Sequence, residues 1–169
     1  MESEHAMTAR EVAESYDGKI VVRRMKATGT DFIVLFLAIG ILGAVLKPKD
    51  TPAMLVVCAL VSLSYYFVME AVFARTVGKF LHGLVVINDE GGKPSLAAVF
   101  LRTITRLVEV NPILFGGLPA GLIANFSKSH QRLGDLLAGT FVILPADVPR
   151  ITHSPFLGEV KPEQLSNGM

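Results

Sequence analysis

The chain has 169 residues, of which 51% are hydrophobic and 18% are charged, and its net charge is +1. A soluble domain usually carries about 25% charged residues, so this composition argues against a soluble fold. The near-zero net charge excludes a strong overall field that would recruit nucleic acid. The single cysteine, Cys58, excludes a disulfide framework or a cysteine-based zinc site.

The distribution of charge along the chain predicts membrane spans. Three stretches contain no charged residue: 32–46, 51–69 and 110–127. A helix needs about 20 mostly apolar residues to cross the hydrocarbon core of a bilayer. We therefore predict a first spanning helix from about residue 26 to residue 46 and a second from about residue 52 to residue 74.

The chain changes character after the second predicted span. Residues 84–88 are a β-branched run followed by a turn-rich cluster, which is typical of a strand. Residues 96–109 have the periodicity of an amphipathic helix. Its charged face carries Arg102, Arg106 and Glu109. A second strand-like run covers residues 140–144.

The third apolar stretch has two interpretations. Residues 107–127 could form one straight span, or residues 95–110 and 112–127 could form two shorter helices that turn at Asn111-Pro112. The second interpretation returns the chain to the side of the first strand, where the two strand-like runs can pair and satisfy their backbone groups. We therefore predict an all-α membrane bundle of about four helical segments, two full spans plus a shorter helical pair, with a small cytoplasmic two-stranded β element.

Three regions are predicted along the chain: a polar cytoplasmic N-terminal tail (1–22), a membrane domain (23–145) and a flexible cytoplasmic C-terminal tail (146–169). Basic residues precede the first span directly, at Arg23, Arg24 and Lys26. Such residues favour the cytoplasmic side, so both termini are predicted to be cytoplasmic. The first 26 residues lack the short apolar core and cleavage site of a signal peptide. The first span is therefore expected to stay as an uncleaved anchor.

Four local patterns stand between residues 18 and 144. They are Arg24-x-x-Ala27-x-x-x-Asp31, Glu70 followed by Thr76-Val-Gly78-Lys79, the pair Arg102 and Arg106, and Gln131-Arg132-Leu-Gly134-Asp135-Leu-Leu-Ala138-Gly139-Thr140-x-Val142. Together these patterns resemble the RDD family, a group of small multi-pass membrane proteins of mostly prokaryotic origin. The last pattern is the most specific of the four.

The resemblance implies both a location and a set of residues. Arg24, Asp31 and Asp135 look like the one Arg and two Asp for which the family is named. Glu109 stands where a carboxylate, often Asp, is usual. RDD proteins are usually described as transporters, and some have been linked to sodium–proton exchange. The resemblance thus implies a multi-pass protein of the plasma membrane, the inner membrane in a prokaryote.

Nine charged residues are candidates for function: Arg24, Asp31, Glu70, Lys79, Arg102, Arg106, Glu109, Arg132 and Asp135. Acids at membrane depth are costly and by default indicate a function or a buried pair. Asp31 fits a structural ion pair and a transport role equally well, and Glu70 also fits a side chain that reaches up to the interface. We expect Arg24 and Asp31 to pair with each other or with Arg102 or Asp135.

The sequence contains no nucleophile–base pair, metal cluster or cofactor motif, so we expect neither an enzyme nor a cofactor. One interpretation is a transporter, with monovalent cation/proton exchange as its reaction. The alternative is a non-catalytic adaptor or scaffold that docks a cytoplasmic or membrane protein partner through its cytoplasmic face. The bilayer itself is an expected partner, and Gly40-x-x-x-Ala44 could support a homo-oligomer.

Overall fold

The computed structural model describes residues 7–16, 18–47, 50–109 and 129–151, with side chains at 107–109 excepted. The predicted turn at Asn111-Pro112 and the second half of the predicted helical pair lie outside the described residues.

The first helix, α1, covers Ala9–Glu14 and begins at a reciprocal cap. The hydroxyl of Thr8 accepts the N–H of Glu11 at 3.2 Å, and the carboxylate of Glu11 accepts the N–H of Thr8 at 2.8 Å. This arrangement satisfies two backbone donors that a helix start would leave free. The helix buries Ala9, Val12 and Ala13, so this part of the predicted N-terminal tail packs on the rest of the protein.

Two long helices are the candidate membrane spans of the molecule. Helix α2 covers Lys19–Leu46 and helix α3 covers Thr51–Phe73, and both are long and apolar enough to cross a membrane. Asp50 begins α3 by accepting the N–H of Ala53 at 2.8 Å. Most side chains in their apolar stretches face outward, which suits a helix surrounded by lipid.

Helix α2 begins seven residues before its predicted start near residue 26. The early turns are amphipathic: Ile20, Val21 and Arg24 are buried, whereas Lys19 and Arg23 are exposed. The many charged residues of this segment suggested a tail. Most of them lie on the outward face of the helix, whereas its inward face packs against the rest of the protein. The predicted boundary at residue 22 therefore falls inside a continuous helix.

Helices α2 and α3 together form a helical hairpin. The remaining elements gather at the end of this hairpin where α2 begins and α3 ends. They are α4 (Val77–Leu81), β1 (Val85–Asn88), α5 (Leu96–Glu109), α6 (Leu133–Leu137), β2 (Thr140–Ile143) and a 3-10 helix (Pro145–Arg150). Strands β1 and β2 pair antiparallel, with Val85 opposite Ile143 and Asn88 opposite Thr140. This sheet confirms the predicted pairing of the two strand-like runs.

The small sheet has a core on each of its faces because alternate strand residues point to opposite sides. On one face, Ile87 and Phe141 pack with Val12 of α1. On the other face, Val86 and Val142 pack with the first turns of α2. The sheet is thus held between the N-terminal helix and the base of the first span.

The chain leaves the sheet through the 3-10 helix and returns to the N-terminus. Val148 and Ile151 are buried, and Ile151 forms a parallel bridge with Met7. Tyr16 donates its hydroxyl to Asp147 at 2.5 Å and accepts the N–H of Leu144 at 3.0 Å. The region predicted as a flexible tail from residue 146 is therefore packed at least to residue 151, and residues 152–169 lie outside the described part.

Candidate functional site

Charged side chains from five helices converge where α2 begins and α3 ends. Six of the predicted residues are buried there: Arg24, Asp31, Glu70, Lys79, Arg102 and Asp135. Charged residues are seldom fully buried unless they are paired. Within the described residues, every buried side-chain nitrogen and oxygen has a hydrogen-bond partner.

Glu70, near the end of α3, is the anionic centre of the first part of the network. Its carboxylate meets Lys79 at 2.5 Å, the Nε of Arg102 at 2.9 Å and the guanidinium of Arg106. The residue is 1% exposed. The interpretation in which Glu70 reaches up to the interface is therefore wrong, because three cations draw it into the protein.

Asp135, in α6, is the anionic centre of the second part. Its carboxylate pairs with Arg24 of α2 and Arg102 of α5, and it accepts the backbone N–H of Arg132 at 3.1 Å. Burial alone would raise the pKa of Asp135, but Arg102 and then Arg24 hold that pKa well below its usual value. Asp135 is thus a permanently ionised anchor.

Arg102 links the two centres. Its guanidinium contacts both Glu70 and Asp135 and donates to the hydroxyl of Thr140 at 2.6 Å. A planar guanidinium with five donors suits such bridging better than an ammonium. One side chain of α5 therefore connects the second span, the motif around α6 and the first residue of β2.

The expected pair between Arg24 and Asp31 does not form. Arg24 pairs with Asp135 instead, which was one of the expected alternatives, and it also donates to the carbonyl of His130 at 2.5 Å. The two residues are seven positions apart on α2, which separates their Cα atoms by about 10 Å along the axis. Each therefore finds its partners on other helices.

Asp31 occupies a separate polar site beside the network. Its carboxylate accepts the hydroxyl of Tyr65 at 2.6 Å, the hydroxyl of Thr76 at 2.6 Å and the N–H of Gly78 at 2.7 Å. Among the described residues, no lysine or arginine lies within ion-pair distance of Asp31. Asp31 is 2% exposed, and the three groups of the described chain that donate hydrogen bonds to it are all neutral.

Lys79 is the cation of the network whose charge is most sensitive to pH. Burial lowers the pKa of Lys79 to about 7, and the nearby Glu70 carboxylate opposes that shift. Arg102 and Arg106 lower the pKa of Lys79 further, because their positive charges beside the same carboxylate disfavour a third cation. Lys79 is therefore a group near this site that can change charge close to neutral pH.

Of the three other predicted residues, Arg106 and Arg132 lie at the edge of the network. Arg106 reaches Glu70 and places its guanidinium 4.1 Å from the ring centre of Tyr66. Arg132 donates to the hydroxyl of Thr28 at 2.8 Å. Glu109 is the last residue of α5, and its side chain lies outside the described part of the chain.

Sequence reasoning gave no role to the neutral residues that complete the site, although Thr76 and Gln131 belong to the patterns that carry the family resemblance. Tyr65 and Thr76 hold Asp31, and Gln131 donates to the carbonyl of Thr140 at 2.8 Å. Tyr65 lies inside an apolar span, and neither it nor Thr76 carries a charge that would mark it as a partner of Asp31. Their role appears only when the helices are assembled.

A metal centre has no support in the described residues, which contain no group of three or more His, Cys, Asp or Glu side chains placed to hold a metal ion. The ligand chemistry available at Asp31 is one carboxylate and two hydroxyls.

Comparison with known proteins agrees with the resemblance seen in the sequence. The model of the RDD family matches residues 20–139. The uncharacterized protein YckC of Bacillus subtilis (strain 168) is 31% identical over 123 residues, which cover 70% of this chain and 80% of that protein. No solved structure gives a significant match. The matched region contains the two long apolar helices and the buried network, and the chain therefore belongs to the RDD family of membrane proteins.

Proposed function

We propose that the protein is a transporter that exchanges protons for monovalent cations, with Asp31 as the exchanging acid. The supporting observation is that Asp31 is buried and bonded to Tyr65, Thr76 and Gly78, all of them neutral donors. Neutralising a buried acid that is paired with cations leaves those cations uncompensated, which typically costs about 3–5 kcal/mol. Asp31 has no cation within ion-pair distance in the described residues, and Arg106 acts on it only from further away, so Asp31 can change occupancy at lower cost.

The other two buried acids serve as anchors in this proposal. Protonation of Glu70 would leave three cations around a neutral group, and protonation of Asp135 would leave two. Acids held in this way are poor carriers and hold helices together. In this proposal the Asp31 site carries out transport, and the network centred on Arg102 stabilises the fold.

The chemistry of the Asp31 site suits a small hard cation. Oxygen atoms are the ligands that such cations prefer. Tyr65 and Thr76 each donate to Asp31 and accept one backbone N–H, from Val77 and Lys79. A hydroxyl oxygen has two lone pairs, so each keeps one that can turn toward a cation. A cation between the carboxylate and the two hydroxyls would replace the proton that the site carries in the other half of the cycle.

The proposed topology places both termini in the cytoplasm, with four helical segments in the membrane domain. The bridge between Met7 and Ile151 puts the two ends of the described chain on one side of the hairpin. Lys19, Arg23 and Lys26 are exposed at that same end, and basic residues favour the cytoplasmic side. Cysteine labelling at Glu14 in a Cys58→Ala background tests it; labelling from outside sealed cells would contradict it.

The hairpin is small for a pathway of its own, so we propose that transport requires a homo-oligomer. Gly40 and Ala44 are both exposed on α2, and small residues four positions apart allow close packing of membrane helices. Mass measurement of the detergent-solubilised protein distinguishes a monomer from an oligomer.

The deciding experiment measures internal pH in liposomes that contain the purified protein. An applied Na⁺, K⁺ or Li⁺ gradient should change internal pH in the wild type and should fail to do so in Asp31→Asn. Asp89→Asn is the matched control, because Asp89 lies exposed in a turn and should retain full flux. An Asp31→Asn protein that folds normally and keeps full flux would show that the proposal is wrong.

A second candidate function is a membrane adaptor. The saturated pairing of Glu70 and Asp135 favours it, because that network needs no transported ion to explain it. A wild type without any ion-dependent flux would support this candidate. The next measurement would then be capture of a partner through the surface formed by residues 75–94, compared with a variant whose exposed Lys93 and Glu90 side chains are replaced by Ala.

A further inference from the structure

Helix α5 presents its charged face to the protein and its apolar face outward. Arg102 and Thr103 are each 3% exposed, whereas Leu96 is 66%, Phe100 58% and Ile104 40% exposed. A surface helix of a soluble protein shows the opposite arrangement, with its apolar stripe toward the core. The orientation of α5 is the one expected where the surroundings are less polar than the protein interior.

The depth of α5 in the bilayer follows from the lengths of the two spans and from the residues of α3 that α5 contacts. From Lys26 to Leu46, α2 rises about 30 Å, which equals the thickness of a hydrocarbon core. From Thr51 to Glu70, α3 rises about 28 Å, so Glu70 lies near the same boundary as Lys26. Tyr66 lies one turn deeper, about 6 Å below that boundary.

Contacts with α3 show the direction in which α5 runs. Arg102 contacts Glu70, whereas Arg106, one turn further along α5, contacts Glu70 and also lies over the ring of Tyr66. Advancing along α5 therefore means moving from the boundary toward the centre of the bilayer. Ile104, between these arginines in sequence, lies on the outward side of α5 at this depth.

The outward face of α5 belongs to a wider apolar surface, which we call the apolar rim. It consists of Phe80 and Leu81 of α4, Phe100 and Ile104 of α5, and Leu136 and Leu137 of α6, all 40–65% exposed. Exposed apolar patches of this kind mark contact with a membrane or with another protein. The rim surrounds the same end of the hairpin that carries the buried network.

We infer that the apolar rim contacts lipid acyl chains, and that α5 is embedded in the leaflet on the side of the sheet. The depth of Ile104 and the outward apolar surface of the adjacent spans identify lipid as the occupant. The buried network then has a second consequence: Arg102 and Arg106 lie at a membrane boundary without facing lipid, because they pair with Glu70 and Asp135 within the protein.

Tryptophan fluorescence tests this inference directly, because the chain contains no tryptophan. Phe100→Trp and Ile104→Trp each place one reporter on the outward face of α5. Phe36→Trp, at a position 78% exposed in the middle of α2, is the lipid-facing control. Glu14→Trp, at an exposed polar position on α1, is the water-facing control. Vesicles of phosphatidylcholine and phosphatidylglycerol carry bromine on their acyl chains at carbons 6,7 or 11,12.

We expect blue-shifted emission and bromine quenching for both α5 reporters, comparable to Phe36→Trp, with Ile104→Trp quenched more by the deeper bromines than Phe100→Trp. Emission and iodide quenching like those of Glu14→Trp would overturn the inference, since α5 would then face water. Blue-shifted emission without bromine quenching would also overturn it, because a second copy or another protein would then cover the rim. Leu81→Trp on α4 provides a further reporter if an α5 variant fails to fold.

Discussion

Gly78 of α4 lies directly against the backbone carbonyl of Ala27 in α2. A Cβ atom built on Gly78 would fall 2.0 Å from the Ala27 oxygen and 2.9 Å from the carboxyl carbon of Asp31. This approach brings the Gly78 N–H within 2.7 Å of the Asp31 carboxylate. The site therefore depends on the absence of one methyl group, at a helix-to-helix contact where the obstacle is backbone and cannot rotate away.

The first prediction is that Gly78→Ala destabilises the protein. Overpacking a tight contact typically costs about 1–3 kcal/mol, and we expect the upper part of that range because α4 must move as a whole. Gly29→Ala is the matched control, since a Cβ there meets nothing within 4 Å and alanine favours helix. Thermal unfolding in detergent measures both; equal stability of the two variants would mean that α4 shifts without cost.

The second prediction concerns the charge balance around Glu70. Glu70→Gln leaves Lys79, Arg102 and Arg106 around a neutral group, which we expect to cost about 3–5 kcal/mol. Glu14→Gln, at an exposed position, should change stability by less than about 0.5 kcal/mol. Thermal unfolding in detergent compares the two variants with the wild type.

A double variant separates this charge effect from simple loss of packing. Adding Arg106→Gln to Glu70→Gln removes one uncompensated cation and should restore part of the lost stability, a coupling that distant substitutions do not show. Additive losses in the double variant would mean that Glu70 stabilises the protein through packing and not by balancing the charge of Arg106.

Several elements were predictable because local pattern determines them. The second span was expected at residues 52–74 and is Thr51–Phe73, and the amphipathic helix was expected at 96–109 and is Leu96–Glu109. The uncharged run of the span and the periodicity of the amphipathic helix are local signals. The pairing of the two short strands followed from the need to satisfy their backbone groups, and the sheet confirms it.

The partners of the charged residues were less predictable because they depend on long-range packing. Arg24 and Asp31 share a face of α2, which suggested a direct pair, but their partners come from α6, α3 and α4. The start of α2 was missed for a related reason. Its first turns carry many charges, and only the assembled structure shows that Ile20 and Val21 pack on the sheet.

The third prediction is a pH dependence that Lys79 introduces. The folded pKa is about 7 and the usual value is 10.5, so between these values the unfolded chain binds a proton that the folded chain does not. Stability therefore rises with pH across that window, and it is lowest where Lys79 is charged in both states. Lys79→Met should lack this contribution.

Thermal unfolding in detergent between pH 6.5 and pH 9.5 measures the effect. The melting temperature of the wild type relative to Lys79→Met should increase as pH rises. If the difference in melting temperature between the wild type and Lys79→Met stays constant with pH, Glu70 keeps Lys79 charged throughout and the prediction is wrong.

The last prediction tests whether the Thr76 oxygen is a ligand at the Asp31 site. Thr76→Ser keeps the hydroxyl that now donates to Asp31 at 2.6 Å, whereas Thr76→Val removes it with little change in shape. If a cation binds between the carboxylate and the hydroxyls, Thr76→Val should raise the half-saturating cation concentration about tenfold, equivalent to about 1.4 kcal/mol of binding energy.

Thr76 also caps α4 by accepting the N–H of Lys79 at 3.3 Å, so Thr76→Val should in addition lose about 1 kcal/mol of stability. The liposome assay, scaled to folded protein, separates these effects because only the ligand role changes the concentration dependence of flux. Equal half-saturating concentrations in Thr76→Ser and Thr76→Val would limit Thr76 to a structural role and would leave the carboxylate of Asp31 and the hydroxyl of Tyr65 as the remaining candidate ligands.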